Sequence, residues 1–373
     1  MLKSIVRNLV NLPGWRTNRK IVVIESDDWG TIRMSSKEAF NSLLKKGYPV
    51  DQCPYNKYDA LESNQDLEML FDVLNSVKGN DGNPVILTAN NIVANPDFEK
   101  IKKSNFNEYH FEPFTETLKH YPEHDRVMDL YREGINNKLI MPQFHGREHL
   151  NVTLWMKALQ RKSEDEMLAF DLGIFSSKVA QKYGYQNEYM DAFDFKKLKE
   201  LEFQEKAIIE GLKLFKHIWN FDSESFIAPC YIWHSQLEKV LKENGVKYIQ
   251  GLINQFEPRE GDSWSYSKKY HYQGQKNSLG QRYLIRNAFF EPTINPNFRW
   301  EQDCLNRIEI AFRWKKPAII SSHRLNYMGS LYPENRAQNL KRLQMLLEAI
   351  IKKWPEVRFV SSDVLGDLMN KEN

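Results

Sequence analysis

Short apolar runs recur along the whole chain, each followed by a stretch of helical periodicity. This alternation constrains the fold more than any single motif. The runs lie at 20–26, 84–89, 139–144, 225–228, 246–249, 283–285, 317–321 and 357–360. Between them, 36–46, 66–77, 204–219, 235–244 and 334–353 carry apolar side chains at helical spacing. In 66–77, Leu67, Leu70, Phe71 and Leu74 fall on one side. His234-Ser235-Gln236 and Pro333-Glu334 read as helix starts. Strand–helix–strand repetition predicts parallel strands joined by right-handed crossovers. Seven or eight such strands predict an α/β fold, a distorted (β/α)7–8 barrel that is closed or nearly closed. A length of 373 residues suits one domain, 1–373, carrying insertions. No Gly/Ser-rich or Pro-rich linker and no internal repeat divides the chain. Residues 50–65, 91–125 and 255–280 are long, polar and irregular, and read as insertions over the barrel, where such folds carry function.

Charge excludes one class of partner. The chain has 52 Lys and Arg against 49 Asp and Glu, and the signs are interleaved, as in Glu238-Lys239 and Lys242-Glu243. That pattern marks solvated helix faces, and no basic block argues for nucleic acid. Cys53, Cys230 and Cys304 form neither a disulfide framework nor a CxxC motif, which suits a reducing compartment. The N-terminal stretch lacks the apolar core of a signal peptide, and no run reaches the roughly 20 apolar residues of a membrane span. The expected location is cytoplasmic, without a transmembrane segment. Residues 2–10 read as a short amphipathic helix packed on the body, with membrane contact as the alternative. Oligomeric state is not legible.

Three of the apolar runs end in ionisable groups. Ile21-Val-Val-Ile-Glu-Ser-Asp-Asp-Trp-Gly30 runs into adjacent carboxylates, Asp27 and Asp28. Neighbours on a strand point to opposite faces, so the simplest account is a turn in which an Asp caps the next helix. Leu139-Ile-Met-Pro-Gln-Phe-His-Gly-Arg-Glu-His149 ends in His145 and His149. A spacing of four puts two imidazoles on one side, an arrangement that binds metal but also arises without one. The third run, from Pro317, delivers His323. A lone His after a strand is more often structural. In a parallel barrel, however, all strand C-termini share one face. Two His and a carboxylate then make a hydrolytic metal set with open positions. A second carboxylate can take a proton from water, and a third His can give one to a leaving group.

In these segments the sequence resembles the polysaccharide deacetylase family, the carbohydrate esterases with a NodB-homology domain, as a divergent member. The family's first motif, Thr-Phe-Asp-Asp-Gly, is similar to Glu25-Ser-Asp-Asp-Trp-Gly30. Its His-Ser/Thr-x-x-His is similar to His145-Gly-Arg-Glu-His149. Its Arg-x-Pro-aromatic motif falls at Phe226-Ile-Ala-Pro-Cys-Tyr231, and its late His strand at Ile319-Ile-Ser-Ser-His323. The resemblance spans residues 20–323 in the same motif order. It implies a distorted β/α barrel and a metal-dependent hydrolase that removes acetyl groups from an N-acetylated or O-acetylated carbohydrate. It also implies Asp27 as base, His323 as acid, and Asp28, His145 and His149 as ligands of one divalent metal, zinc foremost, cobalt or nickel otherwise. The sequence departs at Trp29 and Gly146, and at Ile227, where the family has the Arg that orients the catalytic Asp. Arg147, Arg286 and Arg324 are the candidates to replace it.

Other residues flank these motifs. Trp29, Tyr231, Trp233, Arg324 and Asn326 are expected as substrate contacts, with strand-end packing as the alternative for Tyr231 and Trp233 and fixing of the loop after His323 as the alternative for Arg324 and Asn326. Glu25 and Glu148 sit beside the site. His110, His120 and His124 read as surface residues and Cys230 as a small core residue. Two other functions fit the same motifs. One is a glycoside hydrolase of the same barrel superfamily, using Asp27 and another carboxylate. The other is a relative that binds sugar or metal without turnover.

Overall fold

The computed structural model describes residues 2–175 and 189–371. In chain order its strands are β1 (Ile21–Trp29), β2 (Leu87–Ile92), β3 (Ala94–Pro96), β4 (Phe111–Pro113), β5 (Ile140–Gly146), β6 (Ser225–Ile227), β7 (Tyr248–Gly251), β8 (Asn254–Pro258), β9 (Tyr266–Tyr270), β10 (Arg282–Ile285), β11 (Ala288–Phe289), β12 (Ala318–His323) and β13 (Arg358–Phe359). Every apolar run singled out in the sequence forms a strand. The main sheet runs β10-β7-β6-β5-β2-β1-β12-β11, with β13 paired to the start of β1. All its pairings are parallel, so all strand C-termini emerge on one side.

The sheet curls until its two ends meet in a single segment. The Arg286 N–H donates to the Gly251 carbonyl after β10, whereas the Asn287 N–H donates to the Ile319 carbonyl on β12. The chain therefore switches from one end of the sheet to the other between adjacent residues. Continuity of the backbone, rather than a β ladder, closes the circuit.

Alternation along the strands explains what fills the inside. Ile21 and Val23 of β1 pack with Tyr248, Leu284 and Ile319 as a small apolar floor. Val22 and Ile24 face the other way, onto the main core with Leu67, Leu70, Leu74, Leu212 and Leu343 of the surrounding helices. Each such fully buried aliphatic side chain contributes roughly 2 kcal/mol. The helix Asn64–Ser76 starts in a capping box made by Ser63 and Asp66. Above the apolar floor the interior turns polar. Glu25 is level with Thr88 and Ser321, and Asp27 is level with His323.

The segments expected to be irregular carry structure. Residues 50–65 hold the short helix Pro54–Tyr58, 91–125 hold the β3–β4 hairpin, and 255–280 contribute to the β8–β9 ribbon. Their short, polar ribbons lack the apolar run that marks a strand in sequence. The helix Leu2–Val10 packs against Trp300–Arg313, tied by the Arg7–Asp303 ion pair and by Arg313 and Trp314 donating to Asn8. Among the described residues, no helix is long and apolar enough to cross a membrane.

Candidate metal centre

The end of β1 answers how two neighbouring Asp side chains serve one site. The β1–β2 register shifts between Ser26 and Trp29, and Asp28 has φ of 77°. A bulge of this kind re-aims side chains. It sends Asp27 and Asp28 to adjoining places instead of opposite faces. Gly30 closes the bend with φ of 83°, where an added Cβ would lie 2.2 Å from the Ile92 carbonyl. Its N–H donates to the Glu62 carboxylate at 3.0 Å. The β2–β5 register also shifts, pairing Asn91 with Phe144 and Ile92 with Gly146, so that His145 is the extra residue.

Asp28, His145 and His149 are buried, and their ligand atoms lie within 4.8 Å of one another. Nε2 of His145 and of His149 stand 3.4 and 3.3 Å from Asp28 Oδ1. The Nδ1–H of His145 is placed to donate to the Ile227 carbonyl at 2.9 Å. That bond fixes the tautomer and leaves Nε2, which has no hydrogen-bond partner, with its lone pair directed at the cluster. Ile227 thus acts on the site through its backbone carbonyl. Burial opposes Asp28 ionisation, but His149 and His145 hold its carboxyl well below the usual range. An anionic oxygen and two imidazoles, one of them with an orphaned ring nitrogen facing the cluster, form a donor set that fits a divalent metal.

Asp27 has a different environment. Arg286, fully buried at the kink between β10 and β11, grips it with two nitrogens, each 2.7 Å from a carboxylate oxygen. Asn90 adds a third hydrogen bond at 2.7 Å. Arg286 Nε also reaches Glu25 at 2.6 Å, and Ser362 donates to the other Glu25 oxygen at 2.7 Å. Burial works against the charge on Asp27, yet Arg286 outweighs it and lowers its pKa to about 2. Of the three arginines considered as replacements, Arg286 is the one that orients Asp27. Arg147 pairs with Glu148 and Glu210, and Arg324 with Asp59 and Glu62.

His323 stands opposite, its Nε2 3.8 Å from Asp27. Its Nδ1 contacts Glu291 at 2.6 Å, and Asn326 holds the other Glu291 oxygen at 2.8 Å. Burial disfavours the imidazolium, but Glu291, aided by Asp28 and Asp27, overrides it and raises the pKa to about 10. Glu291 was not anticipated from the sequence, where it sits in a polar turn without a motif. Asn90, Gln143 and Gln250 were missed as well. Asn90 donates to Gln250, which donates to Ser225, and Ser225 donates to Gln143. The signal was polar residues alternating along β2, β5 and β7, where a strand buried on both faces should be apolar.

Four expected substrate contacts are corrected. Trp29 is fully buried, stacks with Tyr327 and donates its indole N–H to Ser26. Trp233 is buried and donates to Glu238. Arg324 is committed to Asp59 and Glu62, and Asn326 to Glu291 and the Thr293 N–H. Tyr231 is partly exposed, accepts a hydrogen bond from Arg286 at 3.0 Å, and follows Cys230 in a second consecutive left-handed conformation. Such backbone strain persists only where the surroundings enforce it. Cys230 packs at the edge of a secondary apolar cluster. His110 is half-buried and His120 exposed, but His124 is buried against the Leu61 and Pro122 carbonyls. Glu148 is buried against Arg147.

No family model and no curated protein matches this chain. Solved structures do show similarity. One is described as a probable polysaccharide deacetylase from Pseudomonas aeruginosa PAO1, with 9% identity, 95% of this chain and 93% of that chain covered, and a TM-score of 0.47. A polysaccharide deacetylase, so described, from Mycobacterium smegmatis gives 11% identity, 96% and 93% coverage, and a TM-score of 0.42. The α-amylase AmyC from Thermotoga maritima gives 10% identity, 94% and 74% coverage, and a TM-score of 0.47. These likenesses are too remote to carry an activity across. The strand order establishes the fold, and the distances within the site support its chemistry.

Proposed function

We propose that the protein, acting through residues 1–373 as one catalytic barrel, is a metal-dependent hydrolase that removes acetyl groups from an N-acetylated or O-acetylated carbohydrate. One observation carries this reading: a buried Asp28-His145-His149 donor set directly beside an arginine-held Asp27 that faces His323. A divalent metal in that set, zinc foremost and cobalt or nickel otherwise, would supply a Lewis acid that activates water and polarises the acyl carbonyl.

The chain's own groups account for the proton movements. Asp27, kept ionised by Arg286, takes a proton from the attacking water. A carboxylate with so low a pKa accepts that proton only as the water loses it in the transition state. His323, kept charged at neutral pH by Glu291, gives its proton to the departing amine or alkoxide. Tyr231, partly exposed above Arg286, lines the substrate side. The glycosidase reading needs a protonated carboxylic acid across from Asp27. The group across from Asp27 here is the imidazole of His323.

The test is acetate release from N-acetylglucosamine oligomers and acetylated xylan, with zinc or cobalt added and with a chelator present. Metal-dependent release on either substrate supports the reading. Cleavage of glycosidic bonds without acetate, or no reaction with any metal, overturns it.

A further inference from the structure

Tyr55 lies on the short helix Pro54–Tyr58, in a segment that shows no motif in the sequence. Its ring stands edge-on to His323, with centroids 5.5 Å apart and planes at 87°. The guanidinium of Arg33 covers a face of that ring at 5.7 Å. Arg33 also donates to Asn56, the next residue along, at 3.0 Å. The Tyr55 carbonyl accepts the Asp59 N–H, and the Asp59 side chain is clamped by Arg324, the residue after His323. The phenol is thereby tied to the loop after β1 and to the end of β12, although it belongs to neither.

Its hydroxyl is the unused part. A largely enclosed Tyr normally finds a hydrogen-bond partner. The Tyr55 hydroxyl forms no hydrogen bond with any described residue. Burial, together with Glu291, Asp28, Tyr231 and Asp27, keeps it protonated far above the ordinary range, so it is a donor at every working pH. Arg33 covers a face of the ring, and the hydroxyl is the polar group of this side chain left without a partner among the described residues. The neighbouring His323 is the side chain that serves the leaving group.

We propose that Tyr55 is a substrate-contacting specificity residue whose hydroxyl donates a hydrogen bond to the sugar hydroxyl flanking the scissile acetyl linkage. This rests on the deacetylase reading and deepens it, because it assigns a residue to recognition of the sugar rather than of the acetyl group.

The experiment compares wild type with Tyr55→Phe on two substrates. One is the acetylated sugar from which wild type releases most acetate. The other is 4-methylumbelliferyl acetate, which has no sugar. The expected result is a loss of about tenfold in kcat/KM on the sugar, with the ester changed less than about twofold. Calorimetry with a glucosamine tetramer, the product class, gives a readout independent of turnover. Its affinity should fall by a similar factor in Tyr55→Phe. Metal content and thermal midpoint should match wild type. Equal effects on both substrates, or no effect on either, overturn the assignment while wild-type activity stands. No acetate release by wild type from any sugar overturns the proposed function and takes the Tyr55 assignment with it.

Discussion

Asp27 and Asp28 are covalent neighbours in one bulge, equally buried, and their charges are balanced by different means. Asp27 shares Arg286 with Glu25, so two carboxylates and one guanidinium form a closed internal network. Asp28 contacts two imidazoles at 3.3 and 3.4 Å and forms no ion pair with an Arg or Lys among the described residues. In the first half of the site the fold supplies its own counter-ion. In the second it leaves a negatively charged, hydrogen-bond-poor cluster whose donors suit a cation from solution. The difference teaches how a chain keeps two adjacent acids distinct. Under the proposed function, one is held as an unreactive anion until water is activated beside it, and the other is given over to a ligand set.

The largest expected effect breaks the closed half. Arg286→Met strands Glu25 and Asp27 without a cation, and loss of one partner of a buried ion pair typically costs about 3–5 kcal/mol. Denaturant unfolding should show that loss. A cost below about 1 kcal/mol would mean that the guanidinium is not the counter-ion of these acids.

Next comes pH, which sharpens the contrast between Asp27 and His323 in metal-free protein. The pKa of Asp27 is lowered from 3.8 to about 2. Its contribution of about 2 kcal/mol is therefore present above pH 3.8 and lost as pH falls through about 2. The pKa of His323 is raised from 6.5 to about 10. Its contribution is full below pH 6.5 and disappears as pH rises through about 10. Unfolding followed across pH should show Asp27→Asn flattening the acid limb and Glu291→Gln flattening the alkaline limb. Exchange of those effects would refute the pairings.

The smallest effect is expected in the open half. His149→Ala in metal-free protein should cost less than about 1.5 kcal/mol, because it removes one contact to Asp28 at 3.3 Å and leaves the other imidazole, His145, at 3.4 Å. A cost matching that of Arg286→Met would show that the cluster is a structural network rather than a ligand set.

Much of the scaffold was legible because β-branched runs and helical spacing are local properties. The His145–His149 pair was legible because its spacing is local too. Arg286 was only one of three candidates for Asp27, since its role depends on a kink joining the two ends of the sheet, and no short window of sequence encodes that. Glu291 was missed for the same reason: it meets His323 from a different segment. Trp29, Arg324 and Asn326 misled through proximity, since a residue next to a catalytic side chain generally points elsewhere. The bulge that lets Asp27 and Asp28 escape this rule has no residue signature of its own.

Under the proposed function, Asp28, and not Asp27, belongs to the metal set. The most direct test is the metal content, by plasma mass spectrometry, of zinc-reconstituted wild type, Asp28→Asn and Asp27→Asn. About one metal per chain is expected in wild type and in Asp27→Asn, and little in Asp28→Asn. Loss of metal in both variants, or its absence from wild type, would contradict that assignment.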